Sequence, residues 1–96
     1  DAIHEYCFGT VWDRPNLDLK TREMIVMAAA AALDLPHEVG LHVRGALNRG
    51  ANKDELIEVI LQCSPYIGFP KTNHALKAAQ EIFDSWEAKK NDWQPL

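Results

Sequence analysis

The sequence predicts an all-α fold, a small antiparallel helical bundle, in a single domain over residues 1–96 with residues 90–96 as a tail. Its segments place apolar residues at helical spacing, and none has the alternating pattern of a strand. Proline, glycine and capping residues separate these segments at short intervals. Because 47% of the residues are hydrophobic, the chain can bury one core. We therefore expect four or five helices joined by short loops.

The first third of the chain predicts a helix end, a turn and a long apolar helix. Residues 1–12 resemble the end of a helix that Gly9 stops, and a turn around Pro15 follows. Asp18 is the predicted N-cap of the next helix, which runs to about Leu33. Its alanine-rich middle is apolar nearly all round, as is typical of the centre of a fold or a subunit interface. This apolar surface exceeds what a small bundle covers, so the sequence predicts an oligomer.

Two further helices follow, with recognisable ends. Pro36 suits a first helical position and Gly50 a position just past a helix end. Asn52 and Glu55 have the spacing of a capping box, which predicts the start of the third helix there.

The last third of the chain predicts a broken helix and a long terminal one. Pro65 removes a helical hydrogen bond and should kink or end the third helix. Gly68 is the expected flexible point of a tight connection, and the fourth helix runs from Pro70 to about Lys89. Trp93, in the tail, is expected to dock on the protein because an indole is rarely left in solvent.

Charge and cysteine content exclude several classes of partner. The formal net charge is −4 and no Lys/Arg-rich run occurs, which argues against binding nucleic acid or an anionic membrane. No apolar run approaches the roughly 20 residues of a membrane span. Cys7 and Cys63 form no CxxC pair, and two free thiols are typical of an intracellular protein, so we expect a cytoplasmic location. The four histidines lack the spacing of metal ligands, so no metal site is expected.

The two helices that meet at Leu35-Pro36 carry a candidate acid–base pair. Glu23 precedes the alanine run, and His42 is followed three and four positions later by Gly45 and Ala46, which share its helical face. Small residues beside an imidazole leave space for a ligand, although close helix packing requires them equally. A core histidine with one satisfied hydrogen bond would give the same pattern.

Three separated blocks resemble the carboxymuconolactone decarboxylase family: FGTVWDRPNLDLKTRE, LHVRGALNRGANKDELIEVILQ and YIGFP, in that order. The likeness extends from about Phe8 to Phe83. It implies a bundle of the alkyl hydroperoxidase D-like type that self-associates into a ring, either a trimer or a hexamer built as a trimer of dimers. The implied activity is cofactor-free decarboxylation of 4-carboxymuconolactone to an enol-lactone of 3-oxoadipate, in aromatic catabolism.

The peroxidase branch of the same superfamily has a Glu-x11-Cys-x2-Cys-x3-His motif, and this sequence keeps the spacing but not the thiols. Counted from Glu23, the cysteine positions hold Leu35 and Glu38, and the histidine position holds His42. Peroxide reduction needs a thiolate and a resolving thiol. The resemblance therefore favours the decarboxylase branch.

The resemblance assigns the catalytic role to His42 and Glu23. Decarboxylation of such a lactone leaves an extended enolate that a donor active near neutral pH must reprotonate, and His42 is the expected donor. Glu23 would fix the histidine tautomer or relay the proton. Glu38, one turn before His42, would stabilise the protonated ring or act as a second acid. Each glutamate also fits a surface carboxylate in the first turn of a helix.

A carboxylated substrate also calls for a cation and a pocket wall. The candidate cations are Arg22, Arg44 and Arg49. Arg49 lies two helical turns from His42 on the same face, about 10 Å away, whereas Arg44 points off that face but lies in the family-like block. Tyr66 either lines the pocket or packs in the core, and Trp12 and Trp86 are interpreted as core or interface residues.

Two other functions stay open. Lactone hydrolysis or isomerisation would use the same acid–base pair, and a non-catalytic oligomeric binding protein would use the fold alone. An enzyme of either kind requires a pocket containing both Glu23 and His42, whereas a scaffold predicts a filled core or a separated pair.

Overall fold

The computed structural model describes residues 1–92, which are helical with no strand among them. Its elements are α1 (Ala2–His4), a π-helical segment (Glu5–Val11), α2 (Leu19–Ala32), α3 (Pro36–Asn48), α4 (Lys53–Ile67) and α5 (Phe69–Asp92). The all-α prediction is therefore confirmed over this range.

Helices α2 to α5 form a bundle around one hydrophobic core. Helix α3 packs on α2 and α5, and α4 packs on the same two helices. The largest fully buried side chains are those of Met27, Leu56, Ile60, Val39 and Val43. The core also contains several buried alanines, including Ala30, Ala46, Ala75 and Ala79. No described helix is both long enough and apolar enough to cross a membrane.

Several predicted helix ends are confirmed because local capping chemistry determines them. The Asp18 carboxylate accepts a hydrogen bond from the Thr21 N–H at 2.7 Å and starts α2. Pro36 occupies the first turn of α3. Asn52 and Glu55 form the predicted capping box of α4.

Two predicted helix breaks are wrong. Gly9 does not stop the first helix, which continues in π-helical form to Val11. Pro65 does not end the third helix near Gln62, since α4 continues through it to Ile67. The missing N–H of Pro65 would leave the Leu61 carbonyl unpaired, but the Ser64 hydroxyl donates to that carbonyl at 2.7 Å.

The C-terminal helix begins and ends slightly outside its predicted limits. Gly68, with φ of +89°, separates α4 from α5, which starts at Phe69 rather than Pro70. It continues to Asp92, beyond the predicted end at Lys89. The predicted docking of Trp93 lies outside the described residues.

The alanine-rich helix α2 is buried on one side only. Met27, Ala30 and Ala31 lie in the core, whereas Ile25 is 50% exposed and Leu33, at its C-terminal end, is 69% exposed. One chain therefore leaves part of the apolar perimeter of α2 uncovered, as the sequence predicts. An apolar stripe of α2 faces outward.

Candidate active site

The structure brings Glu23 and His42 together at the crossing of α2 and α3. The His42 Nδ1 and Glu23 Oε1 atoms are 2.7 Å apart, a hydrogen-bonding distance. Their side chains are 22% and 12% exposed, so the pair is mostly shielded but reachable from solvent. Because Nδ1 is engaged by the carboxylate, Nε2 is the ring nitrogen left for other partners.

A cavity of about 340 Å³ contains this pair in its wall. Its lining consists of Phe8, Trp12, Asp13, Leu19, Glu23, Leu41, His42 and Arg49. The wall thus combines apolar and aromatic surface with a few polar groups, as is typical of small-molecule sites.

A larger hollow of about 630 Å³ adjoins this cavity and shares Trp12, Asp13, Leu19 and Arg49 with it. It is more open to solvent and lacks both Glu23 and His42. Since Glu23 and His42 lie in the smaller cavity, that cavity rather than the larger hollow is the candidate active site.

Glu38 and Trp12 flank the imidazole. Glu38 Oε2 is 4.0 Å from His42 Nε2, and its side chain is 48% exposed, so the predicted contact is long and partly solvated. The indole of Trp12 stacks on the imidazole with ring centroids 6.2 Å apart and planes 16° apart. Trp12 therefore belongs to the cavity wall and not to the buried core, whereas its interpretation as an interface residue stays a prediction.

The three candidate arginines occupy three different environments. Arg49 lines the cavity. Arg44 lies outside it, in a separate hollow between α3 and α5 that contains His37 and Glu81. Arg22 donates to the backbone carbonyls of Arg14 and Leu17 at 2.7 and 3.2 Å, which fixes the loop before α2.

Arg49 is the candidate cation of the cavity. Among the described residues lining it, Arg49 alone carries a permanent positive charge. Arg44, although part of the family-like block, does not reach this cavity. A role for Arg44 in binding substrate, at the pocket of a neighbouring subunit, stays a prediction.

Tyr66 and the small residues after His42 also differ from expectation. Tyr66 is 83% exposed on α4 and lines neither the cavity nor the core. Ala46 is buried in the core, so it opens no space beside the imidazole. The space above Gly45 is filled by the Glu23 carboxylate. The cavity lies instead on the side of His42 that faces Trp12.

The sequence reasoning missed the contribution of the N-terminal segment. His4, Phe8 and Trp12 recur every four residues and form a run of ring contacts that ends on His42. This spacing was visible in the sequence, but the assumed helix end at Gly9 separated Phe8 from Trp12. No cluster of potential metal ligands occurs among the described residues.

Comparison with known proteins identifies the family. The model of the carboxymuconolactone decarboxylase family matches residues 1–81. The chain belongs to this family.

Three proteins similar to this chain differ in their named functions and in their sequence identity to it. A 4-carboxymuconolactone decarboxylase of Acinetobacter baylyi is 42% identical over 81 residues, covering 84% of this chain and 60% of the relative. A nitrosuccinic acid decarboxylase of Metarhizium robertsii is 34% identical over 94 residues, covering 94% and 66%. An uncharacterised 15.0 kDa protein of Paracoccus denitrificans is 38% identical over 82 residues, covering 82% and 60%. The chain thus spans 60–66% of the length of these relatives.

Proposed function

We propose that this protein is a cofactor-free decarboxylase of a small carboxylated lactone similar to 4-carboxymuconolactone. The observation that carries the proposal is the 2.7 Å contact between Glu23 and His42 in the wall of a cavity that also contains Arg49. Membership of a family whose similar members include two named decarboxylases supports the same reaction class.

In the proposed mechanism, His42 is the general acid and Glu23 supports its charge. The C–C bond to the substrate carboxylate breaks, CO₂ leaves, and the electron pair enters an extended enolate. The His42 imidazolium then transfers its Nε2 proton to the enolate carbon, while Glu23 accepts the Nδ1–H hydrogen bond. Neutral His42 regains a proton from solvent.

The named substrates of the two relatives suggest a common substrate class. Nitrosuccinic acid and 4-carboxymuconolactone each lose a carboxylate from a carbon whose electron pair can be delocalised, into a nitronate or an enolate. Each also keeps a second carboxylate after CO₂ leaves. In this chain Arg49 would bind that remaining carboxylate. A cation holding the departing carboxylate would instead stabilise the ground state and oppose the reaction.

The alternatives use the same cavity differently. A lactone hydrolase or isomerase would employ His42 without breaking a C–C bond, and a binding protein would hold the ligand unchanged. Peroxide reduction by a CxxC pair has no support, because Leu35 and Glu38 occupy the thiol positions.

We also propose that the protein self-associates into a trimer or a hexameric ring. The support is the exposed apolar stripe of α2, which includes Ile25, Ala29 and Leu33 at intervals of four residues. A contiguous apolar face of this kind is stable in water when another surface covers it.

Measurement of CO₂ together with ultraviolet absorbance separates these functions. Purified protein is mixed with 4-carboxymuconolactone, and in parallel with nitrosuccinic acid. The decarboxylase proposal predicts one CO₂ for each molecule converted with at least one of the two acids. An absorbance change without CO₂ would indicate hydrolysis or isomerisation, and binding without conversion would indicate a binding protein. Either result would contradict the proposal.

A further inference from the structure

Gly45 lies in the middle of α3, where a glycine is not required by the backbone. The residue is helical, and its φ angle is not positive. Glycine in a helix interior is less stable than alanine because its unfolded backbone has more freedom to lose. The helix is therefore less stable with glycine at position 45 than it would be with alanine. The atoms that surround Gly45 give a reason for the glycine.

A side chain at position 45 would overlap the Glu23 carboxylate. A Cβ atom built on Gly45 would lie 2.5 Å from Glu23 Cδ and 2.8 Å from Oε1, with Oε2 nearer still. Real Cβ atoms essentially never approach heavy atoms closer than 3.0 Å. All three of its nearest neighbours belong to the Glu23 side chain, and none of them to the backbone of α2.

The same carboxylate makes the short contact to His42. Glu23 Oε1 is 2.7 Å from His42 Nδ1, and His42 lies one turn before Gly45 on the same face of α3. The carboxylate is thus enclosed between the imidazole and the bare backbone of the next turn. A methyl group at position 45 would push the carboxylate away from Nδ1.

We propose that Gly45 is a positioning residue for the Glu23–His42 pair. The space left by the missing side chain holds the Glu23 carboxylate against Nδ1 of His42. This space, rather than close packing of α2 on α3, explains the glycine. Its catalytic consequence rests on the proposed function: when a side chain fills this space, the neutral ring is free to carry its proton on Nε2, and the imidazolium loses its counter-charge.

Four proteins test this directly: the native chain, Gly45→Ala, Glu23→Ala and the double variant. With Glu23 present, the methyl group of Gly45→Ala has to displace the Glu23 carboxylate from Nδ1, so Tm rises less than in the Glu23→Ala background or falls. In the Glu23→Ala background the overlapping atoms are gone, so Gly45→Ala raises Tm by roughly 2–8 °C through its better helix propensity. An equal Tm shift in both backgrounds would overturn the proposal, because it would mean that helix packing alone requires the glycine.

Gly40→Ala is the matched control on the same helix. Its Cβ would meet only Ile82, at 3.4 and 3.6 Å, and no atom of Glu23. Its Tm shift is therefore expected to be the same with and without the Glu23 carboxylate. This control separates a general effect of alanine in α3 from the specific coupling of position 45 to Glu23.

Nitrogen-15 NMR of the histidine rings provides a readout that a purely structural role would not move. In the native protein the neutral His42 ring is expected to carry its proton on Nδ1, and in Gly45→Ala to shift toward Nε2. If His42 keeps its Nδ1 proton in Gly45→Ala, the proposal is wrong.

The Tm comparison and the NMR measurement are both made without substrate. A negative result in them would contradict the role of Gly45 and would leave the decarboxylase proposal unaffected. Where turnover is found, kcat falls roughly 10-fold or more in Gly45→Ala. The double variant loses no more than Glu23→Ala does, since both changes remove one contact. A further loss in the double variant would contradict the assigned role.

Discussion

His42 interacts with three neighbours that give the ring different properties. Glu23 engages Nδ1, the Trp12 indole lies nearly parallel to the ring at a centroid distance of 6.2 Å, and Glu38 lies 4.0 Å from Nε2. The carboxylate occupies one ring nitrogen, and the indole forms the cavity wall beside the ring. These contacts make one nitrogen available for proton transfer.

Arg49 is expected to act in binding rather than in proton transfer. Arg49→Ala should raise KM about 10–100-fold with a small change in kcat, because a hydrogen bond to a charged group is worth about 1.5–3 kcal/mol. Steady-state kinetics on the converted acid measures this. Arg44→Ala, which changes an exposed arginine of the same helical region outside the cavity, is the control and should leave KM unchanged. Equal effects of the two substitutions would argue against Arg49 as the substrate cation.

At the scale of elements, the helix starts could be predicted from the sequence. The continuation of α4 through Pro65 could not be predicted. Asp18, Pro36 and Asn52 act on residues within one turn, so the sequence contains all the information needed. Pro65 is tolerated because Ser64 satisfies the carbonyl that proline leaves free, a side-chain choice that propensity does not predict.

The role of Ser64 can be measured by its dependence on Pro65. Ser64→Ala should lower the free energy of unfolding by about 0.5–1.5 kcal/mol in the native chain. In a Pro65→Ala background the new N–H bonds to the Leu61 carbonyl, so the same change should cost little. Urea unfolding of the four proteins gives the coupling. No coupling would mean that water satisfies this carbonyl as well as the hydroxyl does.

The N-cap of α2 is expected to contribute to acid sensitivity. Hydrogen bonds from the Thr21 side chain and N–H hold the pKa of Asp18 below its ordinary value of 3.8. The lower pKa in the folded state means that the ionised cap stabilises the protein above about pH 4, and that this contribution is lost as the pH falls. Asp18→Asn keeps a capping oxygen without this titration, so its Tm should fall less between about pH 5 and pH 2. An equally steep fall would contradict this role.

At the scale of the whole molecule, the helix content and the pairing of Glu23 with His42 followed from the sequence, whereas the cavity wall did not. Glu23 and His42 were recognisable because they keep the Glu and His spacing of the motif of the peroxidase branch. Phe8 and Trp12 were missed because a helix end was assumed at Gly9, whereas the chain continues in π-helical form to Val11, directly before Trp12. Arg44 and Tyr66 were expected near the pocket but do not line the cavity, and the reason is different. Which residues of neighbouring helices face each other depends on how the helices pack, and one sequence does not specify this packing.

The exposed stripe of α2 predicts assembly. Sedimentation analysis of the native protein should give a trimer or a hexamer, and Ile25→Glu with Leu33→Glu should give monomers, because charges in an apolar interface are costly to desolvate. Leu61→Glu, at an exposed leucine of α4, is the control and should leave the assembly intact. A native protein that sediments as a monomer would contradict the proposed ring.

The most direct test of the central claim is the rate of CO₂ release from 4-carboxymuconolactone by the native protein, His42→Gln and His37→Gln. His37 lies on the same helix but outside the cavity. Proton donation by His42 predicts that His42→Gln lowers kcat by about 10²–10⁴-fold, whereas His37→Gln retains the native rate. Release of CO₂ at an undiminished rate by His42→Gln would contradict the assignment of His42 as the general acid.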